Sequence, residues 1–503
     1  MKKQIILFFV LALALNAVAQ EKVNFVAIHP TDTKDDIIRK AANVVPTERQ
    51  LQWQQLELTA FFHFGVNTYT GREWGDGKED PKIFNPTQLD AEQWVKTMKD
   101  AGFKQVILTA KHHDGFCLWP TKTTEHSLKN SPWKDGKGDV VKEVADACKK
   151  HKVGFGVYLS PWDRNAACYG TDEYNRFFEK QLTELLTWYG QVDEVWFDGA
   201  NGEGPNGKKQ EYDFMSWYAL IRKLQPRAVI AIMGPDVRWV GTETGVGRFT
   251  EWSVVPTDNM DMSAIAENSQ QNDIYKPQGD MMGQDLGGRE IISKAKGLVW
   301  YPAETDVSIR PGWFYHQKED SKVKSAKKMM SIYLTSVGMN SVLLLNVPPT
   351  PEGLISKADQ DSLRNFSALL KNTFRTNLAK GAVIKSSNGS NEKAMLDGNY
   401  KTYFTTKDKD ITTTSTINIT LKGRKTFNLL SLQENIAVGQ RVEKFTAEYQ
   451  NKAGKWVQFT EGTTIGYKRI LKFDTITAQK IRINILSSRL NPTISELGLY
   501  PMK

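Results

Sequence analysis

The sequence predicts a (β/α)8-like barrel followed by a C-terminal all-β sandwich. Two observations carry this expectation. From about residue 50 to 350, short apolar runs alternate with amphipathic segments at helical spacing, the pattern of a parallel sheet covered by helices. After about residue 375, Thr, Ser, Asn and Lys become more frequent, helical patterns fade, and β-branched alternation takes over. An open doubly wound sheet is the rival for the first part. However, no Gly-rich phosphate loop follows the first strand, which disfavours nucleotide binding.

Taken in order, residues 1–19 read as a secretory signal. Lys2 and Lys3 form the charged start, residues 5–15 the apolar stretch, and Ala17-Val18-Ala19 the small-residue cleavage site. The stretch is too short to span a bilayer, and no later run of about 18 apolar residues predicts a span. No Cys follows the cut, so no membrane anchor is expected. The expected route is export from a bacterium, to the periplasm or beyond. The barrel domain is expected over residues 20–375 and the sandwich over 376–503. Barrel strands are predicted at 59–64, 105–109, 154–159, 194–197, 228–233, 248–254, 297–301 and 341–346. Helices are predicted at 89–101, 140–151, 173–189, 212–224 and 321–337, several with acidic starts and basic ends. The sandwich strands are predicted at 412–421, 427–434, 444–449, 456–460, 469–473 and 480–486.

Composition excludes some functions. The net charge of +9 over 503 residues is modest, and the lysines are scattered, so nucleic acid is not an expected partner. Cys117, Cys148 and Cys168 are too few for a disulfide framework and too widely spaced for a zinc motif. The 14 tryptophans are more informative. Several sit beside charged or Gly residues, as in Glu73-Trp74-Gly75, Pro161-Trp162-Asp163 and Gly312-Trp313-Phe314. Aromatic faces there suit the C–H faces of sugars.

The candidate chemistry falls at strand ends, which in a barrel form the catalytic rim. Asp198 follows Val195-Trp196-Phe197 and precedes Gly199, so a rigid strand aims it at a cleft, as a nucleophile requires. The alternative is a helix cap or Asx turn. Lys111-His112-His113-Asp114-Gly115-Phe116 follows the second strand. Its imidazoles can clamp sugar hydroxyls, bind a metal or serve structure. His63 ends the first strand ahead of Glu73-Trp74, and Tyr158 lies in the third. His63, His112, His113 and His316 are all predicted on one face, which favours a polar pocket. Gly241-Thr242-Glu243-Thr244-Gly245 offers a general acid, with Glu251 as its competitor. Glu304 and Asp306 are placed in the loop after the seventh strand. A nucleophile and an acid in unlike environments are what glycoside hydrolysis demands.

The segments AKHHDGFCLWPTKT at 110–123, VWFDGAN at 195–201 and LLLNVPPTPEG at 343–353 resemble the retaining α-L-fucosidases over about residues 50–370. The resemblance implies a (β/α)8-like barrel and double displacement, with no metal and no cofactor. Asp198 stands at the family's nucleophile position. His63, Glu73, Trp74, His112, His113, Tyr158 and Trp313 match positions that cradle fucose. Residues 241–245 and 302–316 resemble the branch acting on terminal α1-3 or α1-4 fucose of branched glycans, which implies Glu243 as acid/base. Glu304 and Asp306 are then candidates for contacting a second sugar. The implied partners are fucosylated oligosaccharides or glycoconjugates. Residues 396–404, LDGNYKTYF, are similar to a discoidin-like, galactose-binding-like sandwich.

A catalytically silent glycan-binding protein on the same scaffold is the alternative from another class, and broad fucosidase specificity is another. The presence of both Asp198 and Glu243 favours an enzyme. A metal-dependent hydrolase using His112, His113 and Asp114 is the third reading.

Overall fold

The computed structural model describes residues 23–257, 283–407 and 413–502. The predicted signal, residues 1–19, lies outside them. In chain order the first strands are β1 (Phe25–Ala27), β2 (Leu58–Phe62), β3 (Gln105–Lys111), β4 (Gly154–Leu159), β5 (Glu194–Phe197), β6 (Val229–Ile232), β7 (Arg238–Trp239), β8 (Val254–Pro256), β9 (Gly297–Trp300), β10 (Ala303–Ser308) and β11 (Ser341–Asn346). Eight of them form one sheet in the order β6-β5-β4-β3-β2-β11-β10-β7. Every adjacent pair in it is parallel. Its two edges, β6 and β7, are consecutive in the chain. The sheet therefore curls into a near-closed barrel with its seam between them.

The strands form because their apolar residues can be buried on both faces. Phe61, Ile107, Tyr158, Trp196, Ala231 and Leu344 fill the interior. Their neighbours Phe62, Leu108, Val157, Phe197 and Leu345 point outward and pack with Trp94, Val144, Leu182 and Trp217 of the surrounding helices. Each such large side chain contributes roughly 1.5–3 kcal/mol by leaving water. The helices start where the sequence supplies caps. Asp90 accepts a hydrogen bond from Gln93 N at 2.9 Å to open Ala91–Ala101, and Asp139 accepts one from Lys142 N at 2.8 Å to open Val140–His151.

Two predicted barrel strands are corrected. Residues 297–300 do form β9, but it pairs with β1 and β8 in a separate three-stranded sheet. Residues 248–253 are not a strand, and the barrel uses the two-residue β7 instead. The seventh barrel strand is β10, with the sequence AETDVS. It reads as a loop because its alternate residues Glu304, Asp306 and Ser308 are polar. They point into the barrel, where polar groups line a site.

The sandwich strands are β12 (Val383–Ser386), β13 (Gly389–Ser390), β14 (Thr405–Thr406), β15 (Ser415–Glu434), β16 (Val442–Gln450), β17 (Trp456–Gly462), β18 (Arg469–Ser488) and β19 (Ile494–Tyr500). Six of them build an antiparallel sheet in the order β12-β15-β18-β16-β17, with β19 on β15, while β13 and β14 pair separately. Strands expected separately at 413–421 and 427–434 are one long β15, and those at 469–473 and 480–486 are one long β18; residue 412 lies outside the described residues. Register breaks between Thr420 and Lys425 let the pair bend and close over Ile417, Phe427, Phe445, Ile481 and Leu499.

The sandwich docks on the barrel. Met339 forms a backbone bridge to Arg469. Ile470 N donates to Gly338 O at 2.9 Å and Asn340 N to Lys468 O at 3.0 Å, just ahead of β11. Leu429 and Ile470 complete the apolar core outside the barrel strands.

Candidate active site

The carboxyl ends of the barrel strands open into a cleft. Phe61, His63, Glu73, Trp74, His112, His113, Trp196, Asp198, Ala200, Glu243, Asp306 and Trp313 line it. Most of the predicted site residues therefore converge on one place.

Asp198 follows the last residue of β5. Its Oδ1 accepts from Ala200 N at 2.6 Å, and its Oδ2 accepts from the Tyr158 hydroxyl at 3.3 Å. The first bond is the Asx turn that the cap alternative anticipated. It fixes one oxygen and leaves the other facing the cleft. The side chain is 27% exposed, so the carboxylate is reachable.

The three rim histidines are buried, and burial holds each below the usual imidazole range, His63 at about 3. They are neutral, and their partners set which nitrogen carries the proton. Asn346 Nδ2 donates to Trp313 O at 2.8 Å, so its Oδ1 is the acceptor for His63 Nδ1 at 2.8 Å. Ser160 Oγ donates to Trp162 O at 2.6 Å, so it accepts from His113 Nδ1 at 2.8 Å. In both rings Nε2 then keeps a lone pair. His112 stacks on Tyr158 with centroids 5.8 Å apart. Asp114 is not part of the rim. Phe116 N and Asn67 Nδ2 donate to its oxygens at 2.8 and 3.1 Å, and burial raises its carboxyl to about 7.

Glu73 ties two rim loops together. Its Oε2 accepts from Trp313 N at 2.7 Å, and its Oε1 meets His316 Nε2 at 2.7 Å. His316 thus stands behind Glu73 rather than in the cleft lining. Trp74 is 50% exposed and meets His113 and Trp162 edge-on at 5.6 and 5.5 Å. Such a half-exposed indole offers a face to an apolar sugar surface.

Glu243 crowns the loop after β7. Gly241 (φ 103°) and Gly245 (φ 77°) flank it in left-handed conformations that L side chains rarely adopt. Val240 N donates to Glu304 O at 2.8 Å and Gly245 N to Asp306 O at 3.2 Å, so the loop is pegged to β10 on both sides of Glu243. Trp313 Nε1 donates to Glu243 Oε2 at 3.3 Å.

The remaining carboxylates separate clearly. Asp306 lines the cleft beside Glu243, accepting from Trp239 Nε1 at 2.9 Å. Burial, then the charges of Glu243 and Asp198, push its carboxyl well above the usual range. Glu304 is fully enclosed in the barrel, with Trp196 Nε1 donating to it at 2.7 Å. The expectation that it touches a second sugar is corrected, because a β10 residue pointing below the cleft has no surface to offer. Glu251 is 1% exposed and ion-paired with Arg238 and Arg248 on the flank of the barrel. It does not line the cleft, so the competitor of Glu243 is a structural anchor.

Sequence reasoning missed Asn346 and Ser160, which orient His63 and His113, and Trp196 and Trp239, which hold Glu304 and Asp306. Asn346 had a usable signal: it is the polar residue ending the apolar run of β11, as Asp198 is beyond β5.

Comparison with known proteins gives a consistent picture. The family model described as Alpha-L-fucosidase matches residues 45–373, and the F5/8 type C domain model matches 380–497. Alpha-L-fucosidase 1 of Arabidopsis thaliana is 44% identical over 467 residues, covering 91% of this chain and 87% of that protein. A Ruminococcus gnavus GH29 fucosidase, solved in complex with fucose, is 35% identical with a TM-score of 0.80, covering 91% of this chain and 95% of that one. A protein of known structure from Bacteroides ovatus is 51% identical with a TM-score of 0.84, covering 96% of this chain and 78% of that one.

Proposed function

The chain belongs to the α-L-fucosidase family of glycoside hydrolases, and from that premise we propose an exported, retaining exo-enzyme that removes terminal α1-3 or α1-4 fucose from branched glycans. Asp198 attacks the anomeric carbon and Glu243 protonates the leaving oxygen, then activates water. One observation carries this assignment. A carboxylate fixed by β5 and a carboxylate on a glycine-flanked loop face the same cleft, and neutral imidazoles and indoles form its other walls. His63 and His113 accept hydrogen bonds from sugar hydroxyls at Nε2. Tyr158 orients Asp198, while Glu73 and His112 position the ring and Trp74 and Trp313 stack on its apolar edge. Asp306 meets the sugar on the leaving-group side.

The catalytic unit is residues 20–375, with 376–503 forming the sandwich. Export is supported by the signal-like residues 1–19, and no described helix is long and apolar enough to cross a membrane. The anomer of the first product tests the mechanism. Early proton NMR spectra are expected to show α-fucose; β-fucose appearing first overturns double displacement.

A further inference from the structure

The loop that carries Glu243 is bound at its base by the second domain. Beyond Gly247, the backbone of residues 249–253 belongs to no helix or strand. Sandwich side chains take up its polar groups. Phe249 O accepts from Arg469 Nη1 at 2.6 Å and Thr463 Oγ1 at 3.1 Å. Glu251 N donates to Thr464 Oγ1 at 3.1 Å. The Gln440 amide spans two residues as a strand edge would: its Nε2 donates to Glu251 O at 2.9 Å and its Oε1 accepts from Ser253 N at 2.8 Å. The groups of Glu251 and Ser253 that meet Thr464 and Gln440 are buried, so each would be costly to leave unpaired.

Glu251 carries this anchorage to the other foot of the loop. Its carboxylate pairs with Arg238 in β7, the strand from which the loop departs. Departing and returning limbs are thus fastened at one point, and the sandwich holds that point. Glu434 sets the two sandwich loops that do so. It accepts from Arg441 N and Val442 N at 2.9 Å each and from Gly466 N at 2.8 Å, linking the Gln440 loop to the Thr464 loop. Gly466, at φ 63°, lets its loop close on the barrel, since a Cβ there would lie 2.2 Å from Asn340 Cγ.

We propose that the sandwich is a working part of the proton-transfer step: Gln440 and Thr464 are positioning residues for Glu243. The inference rests on Glu243 being the acid/base. Gly241, Gly245 and Gly247 leave the loop's own backbone permissive, and its bonds to Glu304, Asp306 and Thr335 fix its flanks, so the base held by the sandwich adds the remaining restraint. A small displacement of a proton donor costs much rate, whereas the nucleophile on β5 is independent of this anchorage.

The test compares a natural fucosylated glycan with α-L-fucosyl fluoride, whose leaving group needs no proton, the latter assayed with azide so that no base is needed afterwards. Thr464→Val and Gln440→Met are expected to lower glycan turnover at least about tenfold and fluoride turnover less than about twofold. Thr464→Ser, which keeps the acceptor, is expected to stay near wild type. Thr463→Val, at a partly exposed position, is a milder variant expected to fold and to show a smaller loss of the same selectivity; it carries the test if the buried substitutions do not fold. Equal losses on both substrates, or no loss on the glycan, overturn the inference while a selective Glu243→Gln keeps the acid/base reading. If Glu243→Gln is itself unselective, that reading falls and the inference with it.

Discussion

His113 Nε2 faces Asp198 Oδ2 across 4.0 Å, too far for a hydrogen bond. Burial keeps the imidazole neutral against the pull of the carboxylate. A hydroxyl placed between them could donate to either. In the proposed reading, a sugar hydroxyl sits against Asp198 there without a proton being placed on the carboxylate.

Asp198→Ala is therefore expected to retain the cleft and lose turnover by ~10⁴-fold or more, since the whole nucleophilic path is removed. Azide is expected to restore part of the activity on fucosyl fluoride and give the β-azide, because it enters from the vacated side. Near-normal hydrolysis by this variant would remove the central claim.

Glu243→Gln and Glu251→Gln should behave differently. The first is expected to hurt poor leaving groups most, and azide should accelerate its turnover of fucosyl fluoride to the α-azide. The second breaks a buried ion pair with two arginines and is expected to cost about 3–5 kcal/mol of stability, seen as a lower Tm. Azide should not restore its activity. If the azide response appears in Glu251→Gln and not in Glu243→Gln, the roles are reversed.

His63 predicts a pH effect on stability. Its folded pKa is lowered to about 3, below the unfolded value of about 6.5. Between these values the unfolded chain binds the extra proton, so this contribution is full above about pH 6.5 and is lost as pH falls toward 3. Raised carboxyls such as Asp114 act with the opposite sign, so a difference curve is needed. Relative to His63→Gln, the wild type is expected to lose up to about 1 kcal/mol per pH unit between pH 6.5 and 4. Parallel Tm curves over that range would refute it.

What the sequence revealed and what it hid depend on where the polar residues of each strand point and on how long the strand is. Strands that are apolar on both faces, such as β3 and β5, were legible, and so were Asp198 and His113 at their ends. β10 was not, because its alternate residues Glu304, Asp306 and Ser308 are polar and point into the barrel, which inverts the usual pattern for a buried strand. β7 was illegible for a different reason: two residues carry no periodicity, and its place is set by pairing with Ala303 and Glu304. Glu251 and Glu243 look alike in sequence, each an acid in a loop. Only folding shows that one meets two arginines and the other a cleft.

Specificity gives the last prediction. Asp306 lies beside Glu243, on the side the proposed leaving group would take, and burial with the nearby charge of Glu243 pushes its carboxyl well above the usual range. Such a buried polar group is costly to leave unpaired when the sugar it meets is missing. A Lewis-type trisaccharide is therefore expected to be cleaved faster than the disaccharide lacking galactose, with losses in kcat as well as KM, because the extra sugar's binding energy lowers the barrier. Terminal α1-2 fucose and simple aryl fucosides should be poor substrates. Asp306→Asn keeps a donor and an acceptor at the same place and is expected to retain part of the preference, whereas Asp306→Ala should erase most of it. Comparing kcat/KM for the two oligosaccharides across these variants decides the matter. Equal efficiency on both in the wild type removes the linkage assignment and leaves the fucosidase chemistry standing. A preference that survives Asp306→Ala moves the second-sugar contact to another residue of the rim.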